Sequence, residues 1–143
     1  MQVKEIMNKN VVTIEPTATL HEASKKMVDQ NTKFLIVTHK ERLLGIVTEW
    51  DFVRKIAIGG QDVLSAKLET IMIKKVIIIS PEIEVAEAAE IMTTNNIKRL
   101  PIVENNVLVG VVTAMEIMAA EPKLVEQISE LFLTSGKQKS VAG

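Results

Sequence analysis

Cysteine is absent from the 143 residues, so neither a disulfide framework nor a thiolate-held metal can organise the chain. Tyrosine is absent too, and one Trp with three Phe leaves aromatics at 3%. The core must therefore be built from Ile, Val, Leu, Met and Ala, which supply most of an apolar share of 47%. Neither sign of charge is in excess: 17 basic against 18 acidic residues leave a net charge of -1. That excludes an overall basic field of the kind that draws in nucleic acid or an anionic membrane. No apolar run approaches the roughly 18 residues that a membrane span needs. Met1-Gln2-Val3-Lys4-Glu5 also lacks the basic-then-apolar order of a signal peptide. These absences predict a soluble cytoplasmic protein of one compact domain, or two half-size units sharing a core. A composition this apolar in so short a chain also predicts a buried subunit surface.

What is present is a repeat. Sliding the sequence by 65 residues places Ile6-Met7 on Ile71-Met72, Pro16 on Pro81, Glu22-Ala23 on Glu87-Ala88, and Met27 on Met92. Asn31 falls on Asn96, Lys33 on Lys98, Leu35 on Leu100, Gly45 on Gly110, and Val47-Thr48 on Val112-Thr113. A constant, gapless offset over most of a copy marks a duplicated structural unit.

Each copy reads as strand, helix, strand, strand, helix. Val11 to Ile14 and Val76 to Ile79 are short β-branched runs, each stopped by a proline. Thr19-Leu20-His21-Glu22 has the spacing of a capping box and opens an amphipathic helix with Leu20, Ala23 and Met27 inward. Its counterpart runs from about Glu84 to Thr94 with Val85, Ala88, Ala89 and Met92 inward, and Asn31 and Asn96 suit the helix ends. Phe34 to Val37 and Leu100 to Val103 each lead through a polar turn into an apolar, Gly-bearing run, which predicts two hairpins. Pro101 places its strand at an edge or at a strand start. The runs end in Thr48-Glu49-Trp50-Asp51 and Thr113-Ala114-Met115-Glu116, each opening a helix, about 49–58 and 114–119. Val63 to Thr70 reads as a linking helix. Leu124, Val125, Ile128, Leu131 and Phe132 predict an amphipathic C-terminal helix packed on the module or on a second subunit. The expected organisation is thus 1–62 for the first repeat, 63–120 for the second, 121–133 for the C-terminal helix, and a disordered tail at 134–143.

A tandem β-α-β-β-α unit with Leu100-Pro101-Ile102-Val103, a polar turn, Leu108-Val109-Gly110-Val111-Val112-Thr113 and an acid three residues on resembles a pair of CBS domains, a Bateman module. The likeness covers about residues 3–120. It implies an α/β fold: two repeats in pseudo-two-fold arrangement, their small mixed sheets packed together, and two clefts for adenine nucleotides or S-adenosylmethionine. It also implies a homodimer formed through the helices of the pair, and a regulatory rather than catalytic role.

Carried onto this sequence, the resemblance gives the first cleft Thr48, Asp51, Ile83, Ala88, Ile97, Lys98 and Arg99. Asp51 would accept hydrogen bonds from a ribose diol, with each charge-assisted bond contributing about 1.5–3 kcal/mol. Thr48 and the first-turn N–H groups would face ribose or phosphate. Ile83 and Ile97 would sandwich the purine, and Lys98 and Arg99 would reach phosphates. The second cleft would comprise Ala18, Ala23, Thr32, Lys33, Phe34, Thr113 and Glu116. Here the chain departs from the family pattern, with Glu for Asp or Asn in one corner and Phe34 where an Arg is usual. Physically, both corners are also helix caps, Thr-x-x-Glu being the capping box itself.

Other residues read more blandly. His21 and His39 are solitary, so no metal site is expected. Trp50 reads as packing, and Arg54-Lys55 as a basic pair on a helix face. No catalytic constellation is evident, so the chain is read as no enzyme, needing no cofactor beyond its nucleotide ligand. The expectation is an energy-sensing module that binds AMP, ADP or ATP and modulates a partner protein. The alternatives are an S-adenosylmethionine sensor and a ligand-free assembly module. Single-stranded nucleic acid is the least favoured partner.

Overall fold

In a computed structural model, residues 1–133 are described, so the expected tail at 134–143 lies outside them. Two compact units divide the chain. Val11–Val76 form the first; Met1–Asn10 and the chain from Ile77 onward form the second. These units do not coincide with repeats divided at 62/63. Each takes the leading segment of the other repeat.

In the first unit, β1 (Thr13–Ile14) runs parallel to β2 (Phe34–His39), which pairs antiparallel with β3 (Arg42–Thr48). Helix α1 (Leu20–Gln30) follows β1 and α2 (Glu49–Gly59) follows β3. Leu20, Ala23 and Met27 of α1 meet Leu35, Val37, Val47, Phe52 and Leu68 in one core. The second unit repeats the plan with α3 (Val85–Asn95), β4 (Arg99–Glu104), β5 (Val107–Thr113) and α4 (Ala114–Ala120). Its core joins Val85, Ala88, Ala89 and Met92 to Leu100, Ile102, Val112 and Ile117.

The local chemistry explains these elements. Thr19 Oγ1 accepts from the Glu22 N–H at 3.1 Å, so the predicted capping box opens α1. Asn31 and Asn96 end α1 and α3 in the left-handed region, at φ 50° and 54°, where Asn is tolerated best after Gly. Lys40-Glu41 and Asn105-Asn106 turn the hairpins with positive φ at both residues, the twist that suits two-residue connections.

Three differences from the sequence reading have physical causes. Residues 76–79 form no third strand in the second unit, only a parallel bridge between Ile79 and Ile102. In the first unit the Ile36 N–H donates to the Val12 carbonyl at 3.2 Å. The equivalent of Ile36 is Pro101, which has no N–H to give. Residues 63–70 are not a helix but two short 3-10 turns, Gln61–Ser65 and Leu68–Thr70. Their backbone is engaged elsewhere: the Ala66 carbonyl accepts from Leu20 N–H, while Leu68 and Glu69 N–H donate to Ala18 and Pro16 carbonyls. Third, the leading segments add to the far sheets. Ile73 exchanges two 3.1 Å backbone bonds with Ile46, and Asn8 exchanges bonds of 2.8 and 3.0 Å with Val111.

That last pairing accounts for the repeated glycine. A Cβ on Gly45 would lie 2.9 Å from the Ile73 carbonyl oxygen, and one on Gly110 would lie 3.1 Å from that of Asn8. At Gly45 only a residue without a side chain admits the backbone unmoved, whereas at Gly110 a Cβ would ask its neighbours to give by a few tenths of an ångström.

The amphipathic C-terminal pattern is a helix, α5 (Val125–Leu133), entered through a 3-10 turn at Pro122–Leu124. Leu124, Ile128 and Leu131 join the core of the second unit beside Ala89, Met92 and Ile117.

Candidate ligand-binding corners

The strand-to-helix corner of the first unit is buried: Thr48 is 5% and Asp51 6% exposed. Asp51 Oδ2 accepts from the Thr48 backbone N–H at 2.8 Å and from the Thr48 hydroxyl at 3.1 Å. Its Oδ1 accepts from Arg54 Nη2 at 2.9 Å. The carboxylate thus reaches back over the first turn of α2, where negative charge also meets the positive end of the helix dipole. An ionised carboxylate has about four lone-pair sites, and three of these are engaged, leaving room on Oδ1 for one more donor.

The corner of the second unit has the same frame in a half-buried setting. Glu116 Oε1 accepts from the Thr113 N–H at 2.8 Å and its hydroxyl at 3.1 Å, and the Glu116 N–H donates to Thr113 Oγ1 at 3.4 Å. The extra methylene of Glu does not break the box. Arg54 has no counterpart, because residue 119 is Ala. The reading of Arg54-Lys55 as a basic pair on a helix face misses this arginine; its i, i+3 spacing from Asp51 carries the signal.

First-turn amides are partly committed. The Glu49 N–H donates to the Lys33 carbonyl at 3.0 Å, and Ala114 N–H to that of Lys98 at 2.9 Å. These two amides are therefore not on offer to a phosphate in this form. Hairpin register sets Phe34 opposite Thr48 and Arg99 opposite Thr113. Among the described residues, no buried side-chain nitrogen or oxygen lacks a hydrogen-bond partner.

The remaining site candidates scatter by environment. Ala23 and Ala88 are fully buried and Ile97 nearly so, all within the cores; none offers a ligand a surface in this form. Ile83 packs on the core of the second unit, and its carbonyl accepts from the Val3 N–H at 2.9 Å. The Lys98 ammonium sits 5.0 Å from the ring centre of Phe132 on α5, a cation–π contact. Arg99 is half-buried at the start of β4. Ala18 lines a cavity of about 450 Å³ with Glu15, Glu22 and Lys26. Thr32, whose hydroxyl donates to the Phe34 carbonyl at 3.1 Å, lines a different one with Lys33, of about 570 Å³. Among the described residues no helix is long and apolar enough to cross a membrane.

A duplicated helix-hairpin-helix unit, with an acidic capping corner in each copy, defines a tandem α/β module. The chain belongs to the CBS domain family, which matches at residues 3–58 and 68–123. It is 36% identical over 132 residues to an uncharacterised protein of Methanopyrus kandleri, covering 91% of this chain and 67% of that one. Among solved structures it is similar to a CBS-domain containing protein of Agrobacterium tumefaciens, with 27% identity and a TM-score of 0.77, covering 84% of this chain and 98% of that one. It is also similar to the CBS domain pair of protein MJ0100, with 28% identity and a TM-score of 0.71, covering 96% of this chain and 98% of that one. That pair was solved in complex with 5′-methylthioadenosine and S-adenosyl-L-methionine.

Proposed function

We propose that this CBS pair is a regulatory module that binds an adenosine ligand, AMP, ADP or ATP, and modulates a partner protein without catalysing a reaction. The observation that carries the reading is the buried Asp51 carboxylate, held at a helix entry with acceptor capacity left on Oδ1. A ribose hydroxyl is a donor of the right kind for that site, and Arg54 beside it supplies a cation of the planar, phosphate-matching type. In this reading Lys98 contributes less than the family pattern implies, because its ammonium packs on Phe132. The Glu116 corner binds more weakly or not at all. Occupancy alters the helix surface that a homodimer and its regulated partner share.

Two other readings have specific support. S-adenosylmethionine is favoured by the ligands of the MJ0100 pair. A ligand-free assembly module is favoured by both corners being complete as helix caps. One panel separates the three: thermal unfolding with AMP, ADP, ATP, S-adenosylmethionine and an RNA oligomer. At about 100 times its dissociation constant a ligand stabilises by roughly 2.7 kcal/mol. A shift with an adenine nucleotide supports the proposal, and a shift with S-adenosylmethionine alone replaces it with the second reading. No shift with any adenosine compound leaves the assembly reading.

A further inference from the structure

A cation reaches the buried carboxylate of the first unit, and the equivalent position of the second unit holds none. Arg54 follows Asp51 by three residues on α2, and its Nη2 donates to Asp51 Oδ1 at 2.9 Å. The Arg54 side chain is 33% exposed and that of Asp51 only 8%, so the guanidinium links a buried charge to the surface. Advanced by the repeat offset of 65, position 54 becomes Ala119.

Counting acceptor sites gives this contact a consequence. An ionised carboxylate offers about four lone-pair sites. The Thr48 N–H and hydroxyl take Oδ2, and Arg54 takes one side of Oδ1. A ribose diol brings two hydroxyl donors to the one site that remains. The second hydroxyl is accepted only when Arg54 moves off Oδ1, and that movement gives up a charge-assisted hydrogen bond. A phosphate on the same ligand offers the guanidinium a new anion, of the shape its planar fork matches. A neutral nucleoside offers none. A sulfonium ligand brings a second positive charge to a site that already has one, and like charges brought together disfavour binding.

We propose that Arg54 is the specificity-determining residue of this corner. It occupies Asp51 until a ligand with both a ribose diol and a phosphate engages the carboxylate and the guanidinium together. The inference rests on the reading of Asp51 as a ribose acceptor and sharpens it. The corner then selects adenine nucleotides over adenosine, and over S-adenosylmethionine, whose sulfonium meets the guanidinium. Ala119 gives the Glu116 corner no equivalent of this residue.

The test is calorimetric titration of AMP, adenosine and S-adenosylmethionine into the full chain and its Arg54→Ala, Arg54→Lys and Asp51→Ala variants, with amide NMR of residues 48–54 to place each ligand. The wild-type chain should prefer AMP to adenosine by about 10- to 100-fold, the worth of one charge-assisted hydrogen bond. In Arg54→Ala that preference should nearly vanish, because AMP weakens while adenosine tightens about 1.5- to 5-fold. S-adenosylmethionine should bind this variant more tightly than it binds the wild type. Arg54→Lys keeps the charge without the fork and should fall between the two. Asp51→Ala should lose all three ligands. An AMP preference unchanged by Arg54→Ala, with binding still dependent on Asp51, overturns the role of Arg54 and leaves the ribose reading in place. Binding that survives Asp51→Ala, or no binding of any of the three by the wild type, overturns the ribose reading and this proposal with it.

Discussion

Replacing Asp51 by Ala tests the corner because it removes two separable things at once. Without ligand, the Thr48 N–H and hydroxyl lose their acceptor inside a site only 5% exposed. Loss of a helix cap costs about 1 kcal/mol and an orphaned buried donor about 1–3 kcal/mol. The Arg54 pair adds little, since that side chain is 33% exposed and such pairs contribute about 0–1 kcal/mol. These terms overlap, so the expected loss is about 2 kcal/mol. Unfolding of 143 residues carries an entropy of roughly 300 cal/mol/K near the midpoint, which converts this to a Tm lower by about 7 °C. With a saturating adenine nucleotide, the wild-type chain should gain about 9 °C, from roughly 2.7 kcal/mol, and the variant almost nothing. Differential scanning fluorimetry with and without ligand reads both quantities. Glu116→Ala is the control: its half-buried box should cost about 1 kcal/mol and leave most of the ligand shift in place. If Asp51→Ala lowers the apo Tm but keeps the 9 °C ligand response, the carboxylate only caps α2 and the ribose assignment is wrong.

Arg54→Ala frees Asp51 Oδ1; for a ligand without phosphate, such as adenosine, calorimetry should show affinity improved by about 1.5- to 5-fold, the equivalent of 0.2–1 kcal/mol, and unchanged affinity would show that Arg54 does not compete. Gly45→Ala should be the costlier of the two repeat glycines in chemical denaturation, by about 1–2 kcal/mol net of the unfolded-state gain, because its Cβ meets the Ile73 backbone at 2.9 Å whereas the shortest contact at Gly110 is the flexible Met7 thioether. Pro101→Ile restores an N–H facing Ile77, so the amide at 101 should become protected in hydrogen exchange as Ile36 should be; its stability should hardly change, since about 1 kcal/mol of hydrogen bond is offset by added freedom of the unfolded chain. Glu82 titrates below its ordinary range chiefly because the Ser80 hydroxyl donates to it, and Ser80→Ala should raise its pKa in an NMR titration. A depressed folded-state pKa gives stability that is present above the unfolded value and is lost as pH falls through the folded one, so this contribution should fade under acid in the wild-type chain.

Much of the fold is legible in the sequence because its signals are local. Thr19 and Glu22 announce one helix start, Asn31 and Asn96 two helix ends, and the polar turns two hairpins. What is not legible depends on partners far along the chain. Residues 63–70 have helical composition, yet they spend their backbone bonds on Pro16, Ala18 and Leu20, and no periodicity reports that. Pro101 is read correctly as a restriction on its own strand, but its consequence falls on residues 76–79. The Thr-x-x-acid spacing identifies both capping corners and the sequence already separates Asp51 from Glu116, but the deeper burial of Asp51 and its contact with Arg54 need the structure. Lys98 looks available for phosphate until α5 is seen to bring Phe132 against it.

The exchange of leading segments also sets what an isolated half of this chain could do. Residues 1–65 alone would carry a leading segment, Met7-Asn8, whose sheet is missing, and a strand, β3, whose neighbour Ile73 is missing. Unpaired edges of this kind are satisfied by strand exchange between copies. A single repeat should therefore be obligately paired, its folding dependent on concentration, whereas the tandem chain makes the same exchange internally. The connector through residues 61–70 thus turns a bimolecular assembly step into a unimolecular one, and cutting it should convert a first-order refolding reaction into a second-order one.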